Sequence, residues 1–191
     1  GNVGIGTTSP SERLSVVGNI SNLITDQSGI KVISTTSLSS YPLDIKVSGN
    51  YVYVAKQGSN SISILDISDR NNPIEISSVL VGSGPRSIYV SGRYAYVANL
   101  FSDDISIVDI SNPKNPIQIS TTTVENRPHS IYVSGRYAYV ANSGSSSISV
   151  VDISNPNNPI QISTTTVGTD PKSVYVSGRY AYVANSGSNN I

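Results

Sequence analysis

Arg86, His129 and Lys172 stand 43 residues apart in turn, each directly after a proline. Three basic side chains at one repeated position are the residues best spaced to act together. At the start of neighbouring innermost strands they would form a basic arc at the mouth of a central channel and hold an anion. The alternative is three solvated rim charges. Leu43 takes the same place one period earlier and breaks the pattern. His129 is the only histidine, which excludes a His-rich metal site. As a general base it would need a positioned partner, and no nucleophile motif accompanies it.

Carboxylates recur in the same way. Asp66, Asp109 and Asp152 precede Ser and Asn at strand ends. The stretch DISDRNN (66–72) has some likeness to a calcium loop, but calcium needs several oxygens per site. Each Asp is read instead as capping its turn through backbone N–H groups, and no metal or cofactor is expected. Tyrosine pairs such as Tyr137 and Tyr139 could stack on sugars, but their strict repetition points to packing between sheets. Arg93, Arg136 and Arg179 follow a turn glycine and are expected over neighbouring Tyr rings.

The elements that would position these residues come from one period. Pro42, Pro85, Pro128 and Pro171 are 43 residues apart, and Gly49, Gly92, Gly135 and Gly178 keep the step. Residues 42–84, 85–127 and 128–170 are three full periods, and 171–191 is about half of a fourth. Each period reads as four short strands. In the third, HSIYVS is followed by a tight turn at Ser134-Gly135-Arg136 and then by YAYVAN. SISVVDI is the third strand. SNPNNP breaks the ladder, and IQISTTTV is a polar strand suited to an outer edge. No segment carries a capped 3.6-residue apolar period, so almost no helix is expected. Four antiparallel strands in each period of this length predict an all-β fold, a β-propeller of four-stranded blades.

Ten positions differ between the second and third periods, and eight of them fall where a propeller's loops share one face. These are Arg86/His129, the loop residues Leu100, Phe101, Asp103 and Asp104 against Ser143, Gly144, Ser146 and Ser147, and the connection at 125–127 against 168–170. Loops on a rigid scaffold are where binding resides. The candidate binding residues are therefore Leu100, Phe101, Asp103, Asp104, Arg86, His129 and Lys172, against the alternative of drift in tolerant loops.

ISIVDISNP (105–113) and ISVVDISNP (148–156) resemble the LVIVD-type propeller repeat. AYVANSGSNNI (181–191) and AYVANSGSSSISVVD (138–152) resemble the related YVTN-type repeat. The resemblance covers about residues 31–191 and implies a propeller of a bacterial or archaeal surface or secreted protein. GNVGIGTTSP, the first ten residues, resembles segments of phage tail-fibre-like and adhesin-like stalk proteins. It implies a trimeric stalk over residues 1–30, joined to the propeller at 31–191.

Composition bounds the function. Lys+Arg and Asp+Glu both total 12, which argues against nucleic acid and anionic membranes as partners. Cysteine is absent, so there is no disulfide framework. No apolar run reaches membrane-spanning length, and Asn19 starts a lone glycosylation sequon. About three and a half blades do not close a ring of the usual 4–8. The sequence is then a fragment of a longer propeller, or other chains complete the ring, or residues 1–30 fill the gap. The expected function is a non-catalytic, extracellular or cell-surface binding or adhesion module. Its partner would be a protein or glycan ligand, or copies of itself in a homo-oligomer. The alternative is a structural subunit whose open blades pair between chains into a filament. YVTN-like propellers also resemble lactonases, but one His, few Glu and near-identical blades argue against an enzyme.

Overall fold

A computed structural model describes residues 32–191 and, nearer the N-terminus, the strands β1 (Val3–Ile5) and β2 (Leu14–Val16). β1 and β2 pair in parallel, Val3 opposite Leu14. They belong to one compact unit, Gly1–Ile33, and the blades form a second, Ser34–Ile191. The rest of the expected stalk and junction at 1–30, with the sequon at Asn19, lies outside the described residues.

The first blade holds β3 (Pro42–Ser48), β4 (Tyr51–Lys56), β5 (Ser61–Asp66) and β6 (Ile74–Leu80) in consecutive antiparallel order. The second repeats it with β7 (Pro85–Ser91), β8 (Tyr94–Asn99), β9 (Asp104–Asp109) and β10 (Ile117–Thr123). The third holds β11 (Pro128–Ser134), β12 (Tyr137–Asn142), β13 (Ser147–Asp152) and β14 (Ile160–Thr166). A half-blade follows, β15 (Pro171–Ser177) and β16 (Tyr180–Asn185), with one bridge from Asn185 to Asn190 starting a third strand. The only helical element among the described residues is a 3-10 turn, Gln57–Ser59.

Local chemistry explains each blade. Ser91 pairs with Tyr94, so Gly92 and Arg93 form a two-residue hairpin turn, and Gly92 takes the positive φ of 57° this requires. The third strand of each full blade is buried along most of its length, on both its faces. Its serines are drawn in with it: Ser63, Ser106 and Ser149 are fully buried. Asp66, Asp109 and Asp152 close their turns, each accepting the N–H two residues on, at 2.8–2.9 Å. Arg93 and Arg136 pair with Asp109 and Asp152 and lie 5.3 and 5.1 Å from the ring centres of Tyr94 and Tyr137.

The core lies between blades, in layers built from the same repeat positions. Ile88, Val97 and Val108 of the second blade pack on Tyr53, Ala55 and Ile64 of the first. Ile131 and Val140 pack on Tyr96 and Ala98 one layer on. The innermost strands β3, β7, β11 and β15 lie side by side in sequence order. A polar ladder ties them together. Asp44 accepts the Ile88 N–H at 2.9 Å, Ser87 accepts that of Ile131 at 3.4 Å, and Ser130 accepts that of Val174 at 3.4 Å. The start of each inner strand is thereby brought beside the next.

Candidate functional site

Pro85, Pro128 and Pro171 open the inner strands, and a bulge follows each proline before the ladder resumes. The residue in the bulge is Arg86, His129 or Lys172, and the three meet at one end of the strand row. The Arg86 Nε–H donates to His129 Nε2 at 3.2 Å. His129 Nδ1 lies 3.0 Å from the Lys172 carbonyl oxygen. Because Nε2 accepts, the proton sits on Nδ1, and the ring is the neutral tautomer. Burial pushes the His129 pKa below its usual value, and the Arg86 charge adds to this. Lys172 Nζ reaches Asp170 at 2.6 Å, which with Ser186 holds that carboxyl below its usual value.

These three side chains, with Leu43, Asp44, Ser87 and Ser130, line an open cleft of about 180 Å³. Arg86 spends its Nε on His129, and its Nη fork is the part suited to a carboxylate or phosphate. Asp44 opposes an anion there, but its oxygens already accept the Ile45 and Ile88 N–H groups and the Ser87 hydroxyl, with Lys46 at 3.6 Å. Asp44, Ser87 and Ser130 were not singled out from the sequence. The signal was available, since they share one repeat position with Ser173 directly after the basic one.

The varied loop separates into exposed and inward residues. It joins the inter-blade connection through Leu100 N–H to Gly84 and Phe101 N–H to Ser83, at 2.8 and 3.0 Å. Phe101 is 61% exposed, whereas Leu100 is only 7% exposed and packs inward. Asp103 takes a positive φ of 54°, and its carboxylate accepts the Arg127 N–H at 2.7 Å. Asp104 accepts from Asn99 at 2.6 Å, and burial raises its pKa. Leu100, Asp103 and Asp104 are thus bonded to the strand end at Asn99 and to the inter-blade connections at Gly84 and Arg127, which supply partners for backbone and carboxylate groups that the loop brings in from water. Of the four loop residues the sequence singled out, Phe101 is the one that stands well out.

The LVIVD repeat profile matches residues 41–81, 84–123, 128–167 and 168–189. The chain belongs to the LVIVD repeat family. No curated protein matches this LVIVD repeat chain by sequence. Among solved structures, it is similar to a candidate 6-phosphogluconolactonase from Bacteroides uniformis, at 20% identity and a TM-score of 0.71, over 78% of this chain and 48% of that one. It is also similar to the periplasmic gluconolactonase of Pseudomonas aeruginosa, at 20% identity and a TM-score of 0.69, over 77% and 47% of the two chains. A third is the computationally designed protein Ika4, at 10% identity and a TM-score of 0.64, over 84% and 94%. The LVIVD chain therefore spans about half the length of the two lactonase structures, and at these identities the likeness is one of fold.

That likeness corrects the expectation that the chain is not an enzyme. Structures with this blade arrangement are named as lactonases. The physical reason lies in where the repeat gathers its exceptions. Counting one His and few Glu across the chain weighed against catalysis, yet the inner strands bring the divergent residues Asp44, Arg86, His129 and Lys172 into a single cleft. Near-identical blades do not prevent a few different residues from meeting.

Proposed function

We propose that this propeller segment binds a small anionic molecule at the channel mouth, with a carboxylate or phosphate gripped by the Arg86 fork and the Lys172 ammonium. The observation that supports it is the bonded arc from Arg86 through His129 to Lys172, which lines one cleft. An Arg–anion pair in such a cleft is charge-assisted and directional. A protein or glycan ligand on the varied loop, as in an adhesion module, has less support, because of that loop's candidates Phe101 alone stands well out. The proposal includes a location outside the cytoplasm. The hydroxyl-rich surface and the periplasmic origin of one similar structure support it. A sugar acid or phosphorylated sugar acid is the first ligand class to test, since the similar structures are named for gluconolactones.

The same names favour hydrolysis of a sugar lactone as a second reading. Water would add to the lactone carbonyl, the ring C–O bond would break, and the freed alkoxide would take the proton. His129 serves as base only if Arg86 leaves Nε2 for the ligand's anionic group.

Calorimetric titration with 6-phosphogluconate and with inorganic phosphate tests the first reading. Arg86→Ala and Lys172→Ala are each expected to weaken binding about tenfold, the loss of roughly 1.4 kcal/mol of charge-assisted bonding. Phe101→Ser is expected to leave binding unchanged. No binding, or binding indifferent to Arg86→Ala and Lys172→Ala, removes the reading. Acid release from glucono-lactone that His129→Gln does not slow removes the second.

A further inference from the structure

We propose that the cleft takes a dianion of the phosphate monoester kind together with one proton, which His129 receives at Nε2 as Arg86 turns from the ring to the anion. The proposal rests on the anion-binding reading above, and adds its ligand class and its dependence on pH.

The hydrogen bonds of the arc tie the anion to a proton. A guanidinium only donates, so the Arg86 Nε–H bond to His129 Nε2 at 3.2 Å lasts only while Nε2 keeps its lone pair. On the other side of the ring, Nδ1 already donates to the Lys172 carbonyl at 3.0 Å. A second ring proton therefore has one place to go, Nε2, and there it meets the Arg86 N–H head on. Two donors that face each other across so short a gap need an acceptor between them. An oxyanion supplies one oxygen to His129 and another to Arg86. The proton comes from water and ends on Nε2. One N–H to N bond is lost, and charge-assisted N–H to oxygen bonds replace it.

The charges around the cleft select a dianion. Asp44, Arg86 and Lys172 are the charged residues that line it. Lys172 is paired with Asp170 at 2.6 Å, and the Ser186 hydroxyl donates to the same carboxylate at 2.7 Å. Asp44 has Lys46 at 3.6 Å and accepts from the Ile45 and Ile88 N–H groups and the Ser87 hydroxyl, so each of its oxygens already has two partners. Among the described residues no carboxylate pairs with Arg86. Leu43, one period back, offers it no polar side-chain atom. Arg86 is thus the unpaired charge of the cleft. A monoanion such as a plain carboxylate cancels it and leaves His129 neutral. A dianion leaves one negative charge over, beside a half-buried imidazole, and an opposite charge at that distance favours the protonated ring.

The groups that face His129 agree with a ring that is neutral when the cleft is free of ligand. They are Arg86 on β7, Lys172 on β15, Asp170 just before β15 and, across the cleft, Asp44 on β3. Burial disfavours the ring proton first and the Arg86 charge second, while Asp170 favours it. A dianion seated between Arg86 and His129 reverses the field that Arg86 imposes on the ring. The cleft of about 180 Å³ receives the phosphate group, and its open side leaves the rest of the ester in water.

Sulfate is the probe, because it stays dianionic over the working range, whereas a phosphate ester takes up its own proton at about pH 6. Calorimetry with sulfate at about pH 6.5, in two buffers of unlike ionisation enthalpy, is expected to show protons taken up on binding. Affinity is expected to rise about tenfold from about pH 8 to about pH 5.5, the worth of one added charge-assisted bond. Uptake and pH dependence are expected to vanish in His129→Gln, whose amide oxygen can accept from Arg86 and does not titrate. An unchanged circular dichroism spectrum would show that this variant folds. Gluconate, a monoanion, is expected to bind with far less uptake. His129 is the only histidine, so imidazole NMR signals belong to it alone. They are expected to show the Nδ1–H tautomer in the free protein and a titration displaced to higher pH in sulfate.

Sulfate binding that is lost in Arg86→Ala but brings no proton uptake, or brings uptake unchanged in His129→Gln, overturns this inference and leaves the anion-binding reading standing. No binding of sulfate overturns the inference, and no binding of 6-phosphogluconate either overturns the reading with it. Equal uptake with gluconate overturns the choice of a dianion. An Nε2–H tautomer in the free protein overturns the bonded arc from which the coupling starts.

Discussion

Replacing Ile88 with Ala, compared with the same change at Ile45, tests whether inter-blade packing holds this protein together. The two residues are one period apart and share a residue type and a repeat position, each on the innermost strand of its blade. They differ in burial, 0% against 57% exposed. Ile→Ala removes three carbons, worth about 2.4 kcal/mol at ~0.8 kcal/mol per buried carbon. At Ile88 the unfilled space between two blades adds to this, and the expected cost is about 3–4 kcal/mol. At Ile45 in an isolated chain, over half the side chain already meets water and no closed cavity forms, so the expected cost is under ~1 kcal/mol. With a urea slope of roughly 2 kcal/mol per molar, the midpoints of the two variants should differ by about 1–1.5 M. Urea unfolding followed by circular dichroism, at a dilution where light scattering shows single chains, reads this difference. Equal midpoint shifts in the two variants would refute the reasoning, because repeat position would then outweigh burial.

Three further outcomes are expected. The Asp109 pKa is held down to about 2 first by the side-chain bond from Arg93, and that of Asp152 to about 2 first by Ser154. Arg93→Ala should therefore raise the Asp109 pKa more than Arg136→Ala raises that of Asp152 in a carboxyl NMR titration, and equal or reversed shifts would refute the assignment of cause. Both folded values lie below the unfolded one, so the stability these groups contribute is present above about pH 4 and is lost as pH falls toward 2. The folded pKa of His129 is lowered, so the unfolded chain binds the proton first, and stability should decline as pH drops below about 6.5. His129→Gln should flatten the change in urea midpoint between pH 7.5 and 5.5, and an equally steep decline in both proteins would count against it. Gly92→Ala should cost about 1–2 kcal/mol from its left-handed backbone alone, since an added Cβ meets nothing within 4 Å; an unchanged midpoint would show that the turn relaxes at no cost.

Sequence alone determined the blade and its strands. The spacing of Pro85, Gly92, Tyr94 and Asp109 is local chemistry: a ring that starts a strand, a residue free to turn, a half-buried ring and a turn cap. Each acts within a few residues, so a 43-residue period states it directly, and β7 to β10 lie where the period placed them. The basic triplet was legible as well, because its members share one position in that period.

Tertiary structure alone decided what those positions face. Nothing local separates Ile88 from Ile45, or Tyr53 from Tyr182; a neighbouring blade covers one of each pair and leaves the other in water. In the same way Leu100 turns inward while Phe101 beside it stands out, and Asp103 is occupied by an N–H 24 residues away at Arg127. His129 gains its neutral tautomer from Arg86 and the Lys172 carbonyl, each 43 residues distant, and its lowered pKa first from burial and then from the Arg86 charge. Burial and proton affinity are properties of an assembled neighbourhood. A period in the sequence repeats the residue, and only the packing of sheet on sheet sets its environment.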